Sequence, residues 1–126
     1  MPKAKRAGPG KRTALPNASS VIDQALIDDV VRRIVERFDP DRIVLFGSQA
    51  RGDAGPESDM DLFIEMDSPL RRIDRIVEVL TLFGLRPWGM DVFVYTPDEV
   101  ARERRRFGSL MSYVDAEGRT LYERHK

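Results

Sequence analysis

An apolar run ends in Gly47-Ser48, and after ten more residues Asp59-Met60-Asp61 opens a second one. This pairing limits the possible folds more than any other feature of the chain. Arg42 to Phe46 reads as a short buried strand that delivers the Gly-Ser turn, and Asp59 to Glu65 as a strand carrying acids at its start. Alternation in the second strand sends Met60, Leu62 and Ile64 to one face and Asp59, Asp61, Phe63 and Glu65 to the other. A third alternating run, Met90 to Tyr95, puts Asp91, Phe93 and Tyr95 on one face. Gln49 to Arg51 begins a brief helix before the turn-rich Gly52-Asp53-Ala54-Gly55-Pro56.

Helical spacing fills the intervals. Ser20 is the expected cap of a first helix, with Asp23 three residues on. Its stripe is Val21, Ile22, Ala25, Leu26, Val30, Val31, Ile34, Val35 and Phe38, stopped by Asp39-Pro40. Ser68-Pro69 is expected to cap a second helix that buries Leu70, Ile73, Ile76, Val77, Leu80 and Phe83 and ends at Gly84. Thr96-Pro97-Asp98-Glu99 has the form of a capping box, and its helix bends or breaks near Gly108. Gly118 precedes a short terminal element, Thr120 to Tyr122. The expected class is α/β (α+β): helices packed on one side of a small mixed sheet.

A zero formal net charge conceals an uneven distribution. Residues 1–20 hold Lys3, Lys5, Arg6, Lys11 and Arg12 and no acid, leaving 16 basic against 21 acidic residues in the other 106. With three prolines and almost nothing apolar, residues 1–19 read as a disordered basic arm, and residues 20–126 as a single domain. The arm reads first as a solubilising tail, with contact to nucleic acid or an acidic partner as the alternative. Without cysteine there is no disulfide frame or thiolate metal site. No apolar run approaches the roughly 20 residues of a membrane span, and the expected setting is the cytoplasm. The single histidine, His125, lies in the terminal tail, which argues against histidine acid–base chemistry.

Carboxylates at positions i and i+2 of a strand share a face, and oxygen ligands of this kind suit Mg²⁺. Two such ions about 3.5–4 Å apart stabilise the attacking and leaving oxygens of a displacement at phosphorus. Asp91, with matching parity on a neighbouring strand, could ligate one ion and help take a proton from an acceptor hydroxyl. Gly47 lets backbone approach phosphates, Ser48 offers a hydroxyl and an N–H, and Arg51 offers positive charge. Each piece has a plainer reading. Most Asp-x-Asp pairs are merely solvated, Gly-Ser turns are common, and Asp91 could cap a strand or pair with Arg86. Trp88 could stack on a base or anchor the core, and Arg102 to Arg106 reads as a solvated helix face. The joint spacing is what argues for a metal site.

Gly47-Ser48, ten residues and Asp59-Met60-Asp61 resemble the Gly-Ser-x10-Asp-x-Asp signature of the DNA polymerase beta-like nucleotidyltransferase superfamily. Ala50-Arg51-Gly52, Ser58-Asp59-Met60-Asp61-Leu62, Asp91-Val92-Phe93-Val94 and Glu117-Gly118-Arg119-Thr120-Leu121-Tyr122-Glu123 are similar to its minimal nucleotidyltransferase (MNT) branch. The resemblance spans residues 21–123. It implies the superfamily's fold, two Mg²⁺ ions held by Asp59, Asp61 and Asp91 as the catalytic acids, and a nucleotide, ATP, met by Gly47, Ser48, Arg51 and Ser58. It also implies a setting: many MNT proteins are antitoxins that transfer AMP from ATP to a tyrosine of a HEPN-type ribonuclease toxin, often within a hetero-oligomer. RNA, such as a tRNA end, is the alternative acceptor, and neutralisation of a toxin by contact alone is the non-enzymatic alternative.

Overall fold

The computed structural model describes residues 22–124. The basic arm, Ser20 and His125 lie outside them. Helix α1 (Gln24–Phe38) is followed by strand β1 (Arg42–Phe46), a single helical turn α2 (Ser48–Arg51) and strand β2 (Met60–Glu65). Helix α3 (Arg72–Phe83), strand β3 (Met90–Tyr95), helices α4 (Pro97–Arg104) and α5 (Leu110–Glu117) and strand β4 (Arg119–Glu123) complete the order. The sheet runs β3-β2-β1-β4. β1 is antiparallel to both its neighbours, whereas β2 and β3 are parallel, as the crossover through α3 requires. The sheet is therefore mixed, as expected.

Its coverage is not as expected, because both faces carry helices. Ile43, Leu45, Met60, Leu62, Ile64, Val92 and Val94 pack with Ile27, Val30 and Ile34 of α1 and Val79 and Phe83 of α3. The opposite face is sealed by Val44, Phe46, Phe63 and Tyr95 against Val100 of α4 and Met111 and Val114 of α5. The alternating strands are apolar on both faces beyond their acidic starts, so one layer of helices could not have covered them. Edge-on packing of Phe63 with Tyr95, centroids 5.7 Å apart, holds this second layer together.

Two helix starts also differ from expectation. Asp23 caps α1, its carboxylate accepting the Leu26 N–H at 2.9 Å. This does the work assigned to Ser20, since either side chain can serve an orphan N–H of the first turn. Helix α3 begins only at Arg72, because Ser68 Oγ accepts the Leu70 N–H in a local turn and the Leu70 carbonyl accepts from Arg75 Nε. The inward stripe of α3 is Arg75, Val79 and Phe83, leaving Ile73 58 % and Val77 54 % exposed. The other boundary signals hold. Thr96 and Glu99 form the capping box, the chain breaks between α4 and α5 around Gly108, and Asp39 ends α1 in the left-handed region (φ 50°) ahead of Pro40. Trp88 packs on the core as an anchor. No helix among the described residues is long and apolar enough to cross a membrane.

Candidate active site

Register brings the motif together. Phe46, the last residue of β1, stands opposite Asp61, and across the parallel pair Asp61 stands beside Asp91. Both acids share the α4–α5 face of the sheet with Phe63 and Phe93. Gly47 follows Phe46 directly, with φ 74°, and a Cβ there would collide with the Asp61 carboxylate. Glycine is thus required twice at this turn, by the backbone angle and by the acid pressed against it. The α2 turn closes through N–H donation from Ala50 and Arg51 to the Gly47 carbonyl. Its opening N–H groups, that of Ser48 among them, have no partner within the turn.

Asp59 lies one residue before β2. The following N–H, on Met60, donates to the Gly89 carbonyl at 3.0 Å, which ties the starts of β2 and β3 together. Its carboxylate rests against Gly89, in space that any other side chain would fill. The three acids therefore border one another without converging. Among the described residues no group of three carboxylates stands close enough to hold an ion as placed.

Asp61 feels the crowding. Burial, then the negative charges of Asp91 and Asp59, then a hydrogen bond shared with Asp91 push its carboxyl up to about 6, with Arg51 opposing. None of the three acids has an ion-pair partner among the described residues. Arg86 donates to the Gly84 carbonyl instead of pairing with Asp91. Crowded carboxylates without a counter-charge are what a hard divalent cation relieves, so the donor set fits Mg²⁺.

The remaining motif residues are committed elsewhere in this state. Arg51 reaches Asp53 at 3.2 Å and Glu117 at 3.1 Å, so its charge is already paired. Ser58 Oγ accepts the Gly55 N–H at 2.9 Å and closes the loop ahead of Asp59, while Gln49 Nε2 donates to the Ser58 carbonyl. Sequence reasoning gave no site role to Gly89 or Gln49 and met Glu117 only within the stretch that resembles the MNT branch. A glycine directly ahead of an acid-bearing strand was the available signal for the first; nothing local marks Gln49. A cavity of about 570 Å³ lies between α1 and β4, with Val31, Val35 and Leu121 on its walls and none of these aspartates. Asp59 and Asp91 are exposed, and Asp61 is half-buried.

The family profile described as "Nucleotidyltransferase domain" matches residues 27–125. The chain belongs to that family. Nucleotidyltransferase domains generally use a nucleoside triphosphate and a divalent metal, and nucleotidyl transfer is the chemistry this membership supports. No curated protein matches the chain in a sequence search. Among solved structures, a candidate nucleotidyltransferase from Sulfolobus solfataricus is similar at 21 % identity, covering 81 % of each chain, with a TM-score of 0.57. A toxin–antitoxin structure with AMP-PNP contains a similar chain at 17 % identity, covering 78 % of this chain and 74 % of that one, with a TM-score of 0.52. Both likenesses establish the fold: a small mixed sheet with helices on it, of the nucleotidyltransferase type.

Proposed function

We propose that this nucleotidyltransferase domain moves AMP from ATP to a tyrosine hydroxyl of a HEPN-type toxin, acting as its antitoxin in a hetero-oligomer. One observation carries the chemistry. Asp61 and Asp91 stand side by side across the parallel strand pair, and the Asp61 carboxylate lies against Gly47 of the Gly-Ser turn. The setting is supported by the shared fold of a toxin–antitoxin chain solved with AMP-PNP.

In this reading Gly47 lets the backbone approach the triphosphate, and Ser48 gives its hydroxyl and N–H to phosphate oxygens. Arg51 reaches the departing pyrophosphate by exchanging Asp53 and Glu117 for phosphate. Ser58 supports the nucleotide by shaping the loop that carries Asp59. The acceptor oxygen bonds to the α-phosphorus, the bond from that phosphorus to the bridging oxygen breaks, and pyrophosphate leaves with the electron pair. Asp91, the more exposed of the paired acids, accepts the proton of the hydroxyl. Two Mg²⁺ ions, when held by Asp59, Asp61 and Asp91, supply the positive charge that this displacement needs.

An RNA acceptor is the second reading. It is favoured by exposed Arg102 in α4 and, just beyond that helix, exposed Arg105 and a fully exposed Phe107. Label transfer from α-labelled ATP with Mg²⁺, in a lysate of the source organism, separates the two. Wild type and Asp61→Asn are run side by side, each divided between protease and ribonuclease. A protease-sensitive band made only by wild type is expected. A ribonuclease-sensitive band moves the acceptor to RNA. No band, with toxin neutralisation intact in Asp61→Asn, replaces catalysis with contact.

A further inference from the structure

We propose that Gly89 is a positioning residue of the metal site. The gap left by its missing side chain houses the Asp59 carboxylate when no cation is bound, and the ligand set is completed when that carboxylate turns out to join Asp61 and Asp91. This inference rests on the metal-dependent reading above and adds to it a residue and a motion.

Glycine is not needed at this position for its backbone freedom. Gly89 lies outside the positive-φ region that Gly47 occupies, so its backbone conformation is open to any L-residue. Its peptide is fixed, because its carbonyl accepts the Met60 N–H at 3.0 Å. The three nearest atoms that a Cβ would meet are all from Asp59: Oδ1 and Cγ well inside contact distance, and Oδ2 at ordinary contact, 3.4 Å. The group nearest to that space is thus the carboxylate expected in the metal site.

That placement also explains why the three acids do not converge. Asp61 and Asp91 already stand side by side across the strand pair, and a third carboxylate drawn closer without a cation would add like charge. Asp59 is exposed, on the last residue before the strand, so rotation about its own side-chain bonds is sufficient. Gly89 gives it a second place to sit.

Alanine at this position tests the idea, since it fills the gap while leaving the backbone conformation allowed. In chelator, Gly89→Ala is expected to lower the melting temperature, because Asp59 is driven toward Asp61 and Asp91. Added Mg²⁺ or Mn²⁺ should restore it. Trp88 is the sole tryptophan and adjoins Gly89, so its fluorescence can follow a cation titration without ATP or acceptor. Gly89→Ala should reach half-saturation at a several-fold lower cation concentration than wild type, with calorimetry as the check. In an Asp59→Ala background the chelator penalty of Gly89→Ala should vanish.

A penalty that persists in that background, or a cation affinity unchanged or weakened by Gly89→Ala, overturns the positioning role while the metal site stands. Absence of cation binding to wild type by both methods overturns the metal reading and the Gly89 role together. Loss of label transfer with cation binding intact would count against the proposed reaction alone.

Discussion

The two ends of the parallel β2–β3 pair treat carboxylates in opposite ways. Beyond the Tyr95 end, Glu99 accepts from Arg75 at 2.6 Å and from the Thr96 N–H at 2.9 Å, with Arg72 at 3.5 Å. Burial works against the charge of Glu99, yet the Arg75 hydrogen bond, the Thr96 N–H and the two arginine charges overcome it and hold the carboxyl down to about 2. At the Met60 and Met90 end, Asp61 is also partly buried but meets only Asp91, Asp59 and a distant Arg51, and rises to about 6. The difference lies in the partners supplied. One acid is fully answered within the fold and locks α3 to α4. The other is left in deficit, and the divalent cation proposed for this site would be the missing counter-charge.

The sharpest way to break this contrast is to remove the cation from the answered end. Arg75→Met leaves Glu99 half-buried with its main partner gone and should cost about 3 to 5 kcal/mol, read as a fall in the urea midpoint. Transfer per folded molecule should survive. At the other end Asp61→Asn should do the reverse. Label transfer falls by about 100-fold or more, while the metal-free protein at pH 8 becomes more stable by about 1 kcal/mol, after discounting the shift for solvent exposure. Denaturation in chelator measures that gain.

Acidification separates the ends more gently. Glu99 has a folded value of about 2, below its ordinary 4.5. The stability it contributes is complete above roughly pH 4.5 and is lost as pH falls toward 2. Asp61 is raised from 3.8 to about 6, so its protonation stabilises the metal-free fold as pH falls through 6 toward 3.8. Urea midpoints across this range should lose the first slope in Glu99→Gln and the second in Asp61→Asn. Cation affinity should weaken below about pH 6, because the ligand must shed its proton. The smallest effect is expected from Ser58→Ala. The Gly55 N–H loses its acceptor in an exposed loop, about 0.5 to 1 kcal/mol on the same assay, with transfer only mildly reduced.

What could be read along the chain, and what could not, follows the range of the interactions involved. β1 and β3 run over the residues their apolar patterns predicted, and β2 starts one residue later, at Met60, because alternation is a local property of the backbone. The parity of Asp61 and Asp91 was readable for the same reason. The stripe of α3 was read in part, since Ile76, Leu80 and Phe83 do meet the core, but Ile73 and Val77 are exposed and the central inward position is Arg75, a residue no apolar pattern selects. Its burial depends on Glu99, 24 residues away. Arg51 likewise looked like a free phosphate ligand until Glu117, 66 residues on, was found beside it.

By itself, then, the sequence determined the strands, the capping box, the Gly-Ser turn and the common face of Asp61 and Asp91. These follow from backbone periodicity and from steric and hydrogen-bonding rules within a few residues. Only the tertiary structure decided that helices cover both faces of the sheet, that β2 and β3 are parallel with Asp61 beside Asp91, and that Asp59 rests in the space of Gly89. Those outcomes depend on which surfaces meet and which charges find partners, and contacts between distant segments exist only once the chain has closed on itself.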